Sequence, residues 1–218
     1  MKRLTGYFLL LWLAGCDFVP APAPNPERPV TVRLLFTGDV MQHLPQVAAA
    51  RRETGFDYTE TFAAVRPWFR AADLTVVNLE TTLTRSSHYT GYPRFRSPVA
   101  LADALADAGV DVATLANNHC CDGDAVGIRT TVEELNRCGI RHTGTFADSL
   151  DRAANHPLHL VCRGVRFALL NYTYGTNGLP VPKGTTVNHI DTLRMAADLG
   201  AIGRDSVDCV VVCVHWGN

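Results

Sequence analysis

The feature that most constrains the fold of this chain is a short apolar run that opens directly into a group of polar residues. The run covers residues 112–115, and the sequence Ala-Asn-Asn-His-Cys-Cys-Asp-Gly-Asp follows it at 116–124. Such a run is suited to a buried strand. In a parallel α/β sheet the loops that leave the carboxyl ends of the strands share one edge. The stretch therefore predicts a functional site at that edge.

Four further apolar segments also end in polar residues, and segments with helical periodicity lie between them. The apolar segments are residues 31–36, 74–77, 165–170 and 207–214. Helical spacing of apolar residues occurs at 59–72, 101–108, 128–135 and 191–202. Alternating strands and helices of these lengths predict a layered α/β fold with a largely parallel sheet. A run as apolar as 207–214 belongs in the middle of a sheet, covered on both faces. Because it is the final element here, one sheet face and one strand edge are expected to be left uncovered.

Length, composition and charge restrict the classes of protein to which the chain can belong. The 218 residues are 47% hydrophobic and 19% charged, which is typical of a globular chain with one sizeable core. The formal net charge is −1. Because nucleic-acid binding needs a basic surface, no nucleic-acid partner is expected.

The first residues have the features of an export signal. Lys2 and Arg3 precede an apolar run at 7–14 that is too short to span a bilayer. The sequence Leu-Ala-Gly-Cys at 13–16 resembles the bacterial lipobox, in which the cysteine is lipidated and becomes the first residue of the mature protein. Residues 1–15 are therefore predicted to be a lipoprotein signal peptide. The alternative is an ordinary signal peptide cut near residues 21–23, with Cys16 incidental.

A proline-rich spacer follows the predicted lipidation site. Prolines occupy positions 20, 22, 24, 26 and 29. This spacing favours an extended linker, so residues 16–30 are predicted to be a lipidated cysteine and a spacer, and residues 31–218 the folded domain. Acyl chains on Cys16 would hold the protein on a membrane of the bacterial cell envelope, outside the cytoplasm.

Residues of metal-binding type stand just past the ends of separate predicted strands. Carboxylate, amide and imidazole groups of this kind bind hard or borderline divalent cations. Each one also has an ordinary structural explanation, as a turn residue, a helix-terminal carboxylate, a capping amide or a packed histidine. Several strands would then have to place such residues at one sheet edge by coincidence. The residues are Asp39, Glu80, Asn118, His119 and His215.

Five motifs give the chain a resemblance to a known family. They are Gly-Asp-Val-Met at 38–41, Asn-Leu-Glu at 78–80, Ala-Asn-Asn-His with Asp122, Asn-Tyr-Thr-Tyr-Gly at 171–175 and His-Trp-Gly at 215–217. Together and in this order they resemble the capsule-synthesis CapA (PgsA) family. That family is associated with poly-γ-glutamate and related envelope polymers, and its fold is similar to that of the calcineurin-like metallophosphatases.

The resemblance implies a fold and a site. The fold is a metallophosphatase-like, layered α/β/β/α architecture, and the site holds two divalent metal ions of the Mn, Fe or Zn type. By this analogy His119, oriented by Asp122, would be the catalytic acid or base. The residues that would ligate the metal ions are Asp39, Glu80, Asn118 and His215.

The chain also departs from the family pattern in two places. Gly123 follows Asp122 at once, whereas family members have this glycine one position later. Family chains also continue beyond His-Trp-Gly to a Gly-His-x-x-His segment that supplies further histidine ligands. The domain is therefore expected to lack its C-terminal portion and part of the metal site.

Two functional hypotheses remain open at this point. The first is a metal-dependent, phosphoesterase-like hydrolase or transferase in capsule synthesis or export. The second is a non-catalytic envelope protein that binds an anionic envelope polymer or capsule-assembly proteins. Motifs alone do not decide between them, because a fold does not fix a function.

Overall fold

The structure is a computed structural model that describes residues 29–203 and 205–217. The predicted signal peptide at 1–15, Cys16 and most of the predicted linker at 16–30 lie outside these residues. Within the described part of the chain, no helix has the length and apolar character needed to cross a membrane.

Strands and helices alternate along most of the described chain. The strands are β1 (Leu34–Val40), β2 (Leu74–Leu79), β3 (Thr82–Thr84), β4 (Arg96–Pro98), β5 (Val112–Thr114), β6 (Arg141–Thr143), β7 (Thr145–Phe146), β8 (Leu158–Cys162), β9 (Val165–Thr173), β10 (Thr186–Val187) and β11 (Cys209–His215). The helices are α1 (Leu44–Ala50), α2 (Thr59–Phe62), α3 (Arg66–Ala71), α4 (Ala100–Ala108), α5 (Asp124–Arg137), α6 (Ser149–Asn155) and α7 (Thr192–Gly200).

The first sheet is parallel throughout and carries helices on its outer face. Its strand order is β1-β2-β5-β6. Leu101 and Leu105 of α4 and Leu135 of α5 pack in one buried cluster with Val77 of β2 and Ala113 of β5. The helix α4 ends at Gly109, which adopts a φ of 100° that favours glycine. Parallel strands joined through helices on one face account for the helical segments between the strands.

The second sheet combines a hairpin with one parallel strand. Its order is β11-β9-β8, with β8 and β9 antiparallel and β11 parallel to β9. Arg163 and Gly164 form the hairpin turn and both have positive φ. This arrangement brings the carboxyl ends of β9 and β11 to the same edge.

The two sheets pack face to face and give the chain four layers. Val76 and Val112 of the first sheet contact Leu158 and Leu169 of the second in a buried cluster. The outer face of the second sheet packs against the segment around α7, where Met195 contacts the cluster that contains β9. The order of layers is therefore helix, sheet, sheet, helix. This confirms the predicted α/β/β/α architecture.

The strand β11 lies at the edge of its sheet among the described residues, in line with the expected unpaired strand edge. Among the described residues β9 is its neighbour on one side, and the other side of β11 has no paired strand. Val210, Val212 and Val214 on one face are exposed. The expected uncovered face of this apolar strand is therefore also present among the described residues.

Polar side chains fasten α7 to the second sheet. No residue of α7 is buried. Its Asp198 accepts hydrogen bonds from His156 Nε2 at 2.9 Å, from Tyr172 Oη at 3.0 Å and from Arg152 at 3.3 Å. The Asn188 amide lies 3.1 Å from His156 Nδ1 and donates to it. We call these five residues the polar clamp.

The charges in the polar clamp compensate one another. Burial lowers the pKa of the His156 imidazole, which keeps it neutral with its Nε2 proton directed at Asp198. Burial alone would raise the pKa of Asp198, but the hydrogen bonds from His156 and Tyr172 and the charge of Arg152 lower it. Each polar group of the clamp therefore has a partner of complementary character.

Candidate metal centre

Strand ends from both sheets deliver the predicted ligand residues to one place. Asp39 is the second-last residue of β1, Glu80 directly follows β2, and His215 is the last residue of β11. Asn118 lies in the loop after β5. The pairing of β1 with β2 shifts register between Phe36 and Asp39, an irregularity of the kind often found next to functional sites.

The acidic and imidazole groups converge closely enough to share a cation. Ligand atoms of Asp39, Glu80 and His215 all lie within 4.8 Å of one another. Nε2 of His215 is 3.8 Å from Oε1 of Glu80. The same nitrogen lies 2.7 Å from Oδ1 of Asn118, which accepts its hydrogen bond. The structure thus brings together the four residues predicted as ligands, and their ligand role stays a prediction.

The electrostatics of this group favour a cation. Burial, followed by the negative charge of Asp39, raises the pKa of Glu80 to about 7. Two carboxylates held this close repel each other unless a positive charge lies between them. Burial also lowers the pKa of His215, which favours the neutral imidazole that binds metals. Carboxylate, amide and imidazole groups suit divalent ions of the Mn, Fe or Zn type without selecting among them.

Asn78 organises the group from its centre. Its Nδ2 donates to Asp39 Oδ1 at 2.8 Å and lies 3.3 Å from both Glu80 Oε2 and His215 Nδ1. Asn117 supports it, since Asn117 Nδ2 donates to Asn78 Oδ1 at 3.1 Å. Such outer contacts fix the orientation of metal-binding side chains.

His119 and Asp122 form a buried pair beside the cluster of Asp39, Glu80 and His215. Nδ1 of His119 lies 2.7 Å from Oδ2 of Asp122, and the Phe95 backbone N–H donates to the same oxygen at 2.6 Å. The Phe95 ring packs edge-on against the His119 ring at 4.7 Å. The pair is thus held in one orientation with Nδ1 occupied, which is the geometry of a histidine positioned by a carboxylate.

A cleft of about 260 Å³ opens between the strand ends of the two sheets. Asp39, Asn78 and His215 line it. Its floor is held by Asn171, whose Oδ1 accepts a 2.6 Å hydrogen bond from the Ala116 backbone. Gly144, with a φ of 105°, packs so closely here that an added Cβ would lie 2.0 Å from the same oxygen. The cleft is therefore built on a tight junction between the sheets.

The sequence of the domain matches a known family over most of its length. Residues 33–218 match the family described as bacterial capsule synthesis protein PGA_cap. The chain belongs to this family. The match includes the four predicted ligands, Asp39, Glu80, Asn118 and His215, and the His119–Asp122 pair. It agrees with the resemblance that the sequence motifs indicated.

Two curated proteins are distant relatives. Capsule biosynthesis protein CapA of Bacillus anthracis is 23% identical over an alignment of 219 positions, gaps included, that covers 94% of this chain and 51% of that protein. PGA biosynthesis protein CapA of Bacillus subtilis (strain 168) is 26% identical over 186 residues, which cover 84% of this chain and 48% of that protein. The chain spans about half the length of the curated relatives that it matches.

Two residues of the site had no predicted role. Asn78 follows two valines in the largely apolar strand β2, and an amide in such a strand is a signal that could have identified it. Asn177 contacts Asn118 and His119 from the loop after β9. Its sequence context, Thr-Asn-Gly, indicates a turn and gives no sign of what the side chain contacts.

Proposed function

We propose that this protein takes part in the synthesis or export of an anionic capsule polymer such as poly-γ-glutamate, and that its cleft performs metal-dependent, phosphoesterase-like chemistry. Family membership and the printed names of the two relatives support the first part. The second part is carried by one observation: Asp39, Glu80 and His215 converge beside the oriented His119–Asp122 pair.

The proposed chemistry assigns a task to each side chain. Asp39, Glu80, Asn118 and His215 would hold divalent cations, which when bound supply Lewis-acid stabilisation of charge on a phosphoryl group. Asp122 keeps Nδ1 of His119 engaged, so Nε2 is the atom at which a proton can pass to or from a leaving oxygen. Asn78 orients the carboxylate of Asp39 and the ring of His215.

Metal binding is the first test of this proposal. The purified protein is titrated calorimetrically with Mn²⁺ and Zn²⁺, beside the double variant Asp39→Ala, His215→Ala. We expect the double variant to lose at least about 100-fold in affinity, because two of the proposed ligands are gone. A matched control is Glu53→Ala, His159→Ala, which removes one acid and one histidine from exposed positions. Equal affinity in all three proteins would contradict the proposed site.

Hydrolysis of an activated phosphodiester tests the catalytic part. The metal-loaded protein is compared with His119→Gln, which we expect to be slower by about 100-fold or more because proton transfer to the leaving oxygen is lost. The control His159→Gln should keep the activity of the parent. Metal binding without any hydrolysis would reject the catalytic part and favour the non-catalytic, polymer-binding hypothesis.

A lipid anchor on Cys16 completes the proposal. The lipobox-like sequence at 13–16 and the proline-rich spacer support it. Mass spectrometry of the mature protein should find an N-terminal acylated Cys16, and Cys16→Ser should leave the membrane fraction. A mature N-terminus that begins beyond Cys16, without lipid, would contradict the anchor and leave the metal site untouched.

A further inference from the structure

Asn177 is an exposed residue whose side chain connects two residues of the candidate site. Its Oδ1 accepts a hydrogen bond from Asn118 Nδ2 at 3.1 Å. Its Nδ2 lies 3.4 Å from Nε2 and 3.5 Å from Nδ1 of His119. The amide of Asn177 thus lies at nearly equal distances from both ring nitrogens, of which Nε2 is the one that Asp122 leaves free.

The loop that carries Asn177 also contacts the opposite side of the site. The Tyr174 ring stacks on the His215 ring, with centroids 6.1 Å apart and planes inclined by 17°. Gly217 packs against the same tyrosine so closely that a Cβ there would lie 2.5 Å from Tyr174 Cε1. Residues 174–178, here called the covering loop, therefore reach both histidines of the site.

The backbone conformation of the covering loop restricts which residue types can occupy position 177. Asn177 has a φ of 52°, and Gly178 after it has a φ of 74°. Asparagine, aspartate and glycine tolerate this left-handed conformation better than other residues. The loop is fixed on its inner side, since buried Thr176 donates from Oγ1 to the Leu179 carbonyl at 2.6 Å. The amide is thus presented to His119 by an ordered turn.

The position of this amide limits access to His119. The His119 side chain is 9% exposed, and the amide of the exposed residue Asn177 lies 3.4 Å from its Nε2. We infer that Asn177 is a positioning residue, which covers His119 and is displaced by the leaving-group oxygen of the substrate. The substrate part of this inference rests on the proposed function, whereas the cover itself does not.

Acylation of histidines by diethyl pyrocarbonate tests the cover without requiring activity. Modification of His119 in the full-length protein is followed by peptide mass spectrometry, with exposed His88 and His159 as internal references. Asn177→Gly removes the amide and suits the backbone. We expect His119 to react about threefold to tenfold faster in this variant, as the loss of the Asn118–Asn177 hydrogen bond that holds the cover in place predicts. His88 and His159 should keep their rates.

Two further variants separate a specific cover from general loosening. Asn177→Asp keeps the side-chain size and accepts from Asn118, so it should retain most of the protection of His119. Arg163→Gly changes an exposed turn residue with nearly the same φ, 51°, in the β8–β9 hairpin. It should leave His119 unchanged. A His119 rate that does not rise in Asn177→Gly, or that rises equally in Arg163→Gly, would overturn the inference.

Turnover of phosphodiesters distinguishes this inference from the proposed function. If the protein is active, Asn177→Gly should lower discrimination between a bulky and a compact leaving group, measured as the ratio of their kcat/KM values, by about threefold or more. An unchanged ratio in an active protein would overturn the substrate part. If every variant is inactive but Asn177→Gly still exposes His119, the cover stands and the proposed function fails.

Discussion

The protein uses the same residue types at two sites that differ in how their charges are compensated. The polar clamp pairs neutral His156 with Asp198, and Arg152, Tyr172 and Asn188 complete the pairing. In the metal centre Asp39 and Glu80 are instead drawn together, and Asn78 is an uncharged bridge between them. The difference is visible in the pKa of the acids, which is lowered for Asp198 and raised to about 7 for Glu80.

This comparison separates a group of acids and histidines that compensate one another from a group that would gain stability from a bound cation. A histidine and an acid that form a hydrogen bond with each other stabilise the fold and do not require a bound ion. Acids that are buried next to each other repel, so they destabilise the metal-free site. A bound cation relieves this repulsion. Substitutions in the polar clamp should therefore lower the stability of the fold, whereas substitutions in the candidate metal centre should weaken metal binding.

The largest expected effect is on metal affinity at the metal centre. Glu80→Gln should weaken binding of Mn²⁺ by at least about 100-fold, because an anionic oxygen ligand is replaced by a neutral one. The free energy of unfolding of the metal-free protein should not fall, since the repulsion with Asp39 disappears. Calorimetric titration and chemical denaturation measure the two quantities, with exposed Glu53→Gln as the control. A large loss of stability in metal-free Glu80→Gln would contradict the proposed difference between this site and the polar clamp.

The reverse pattern is expected at the polar clamp. Asp198→Ala leaves the protons of His156 and Tyr172 without their acceptor, so the free energy of unfolding should fall by about 2 kcal/mol. Metal affinity should stay within about twofold of the parent, because the clamp lies on the outer face of the second sheet. Asp205→Ala, an exposed acid in the segment between α7 and β11, is the control. The comparison fails if Asp198→Ala changes metal affinity as much as stability.

A smaller effect is expected on the pH dependence of stability in the metal-free protein. The pKa of His156 is lowered on folding, so stability is lost as pH falls below the unfolded value of 6.5. The pKa of Glu80 is raised on folding, so its contribution is lost as pH rises from 4.5 to about 7. These contributions oppose each other in the parent.

Glu80→Gln should therefore reveal the histidine contribution. Between pH 5 and pH 7 the variant should gain more stability than the parent, by at most about 1.4 kcal/mol per pH unit. Urea denaturation at a series of pH values measures both curves. Parallel curves would mean that Glu80 does not titrate in this range.

Much of the metal centre follows from the sequence because parallel strands share a carboxyl edge. Asp39, Glu80 and Asn118 come from three strands of one parallel sheet, so their proximity could be predicted from their place at strand ends. The position of His215 depends in addition on how the second sheet packs against the first. The motif resemblance implied that a second sheet packs on the first, whereas the hydrophobic periodicity alone did not indicate this.

Other features depend on contacts that no local pattern records. The clamp joins residues 152 to 198 across a hairpin and two helices, and neither His156 nor Asp198 lies in a motif. The φ of Asn177 is compatible with its sequence, but the direction of its side chain is set by Asn118 and His119. Which strand lies beside β11 depends on how the strands pair, and an apolar run does not specify this.

Within the described residues β11 pairs on one side only, and this pairing has a dynamic consequence for His215. A strand with one paired neighbour opens locally at a lower free energy than a strand held on both sides, and its amide protons exchange with solvent sooner. A cation held by His215 and by Asp39, which belong to different sheets, would oppose that opening by RT ln(1 + [L]/Kd). Hydrogen exchange along β11 should therefore slow with increasing metal concentration, while the central strand β5 of the other sheet keeps its rate.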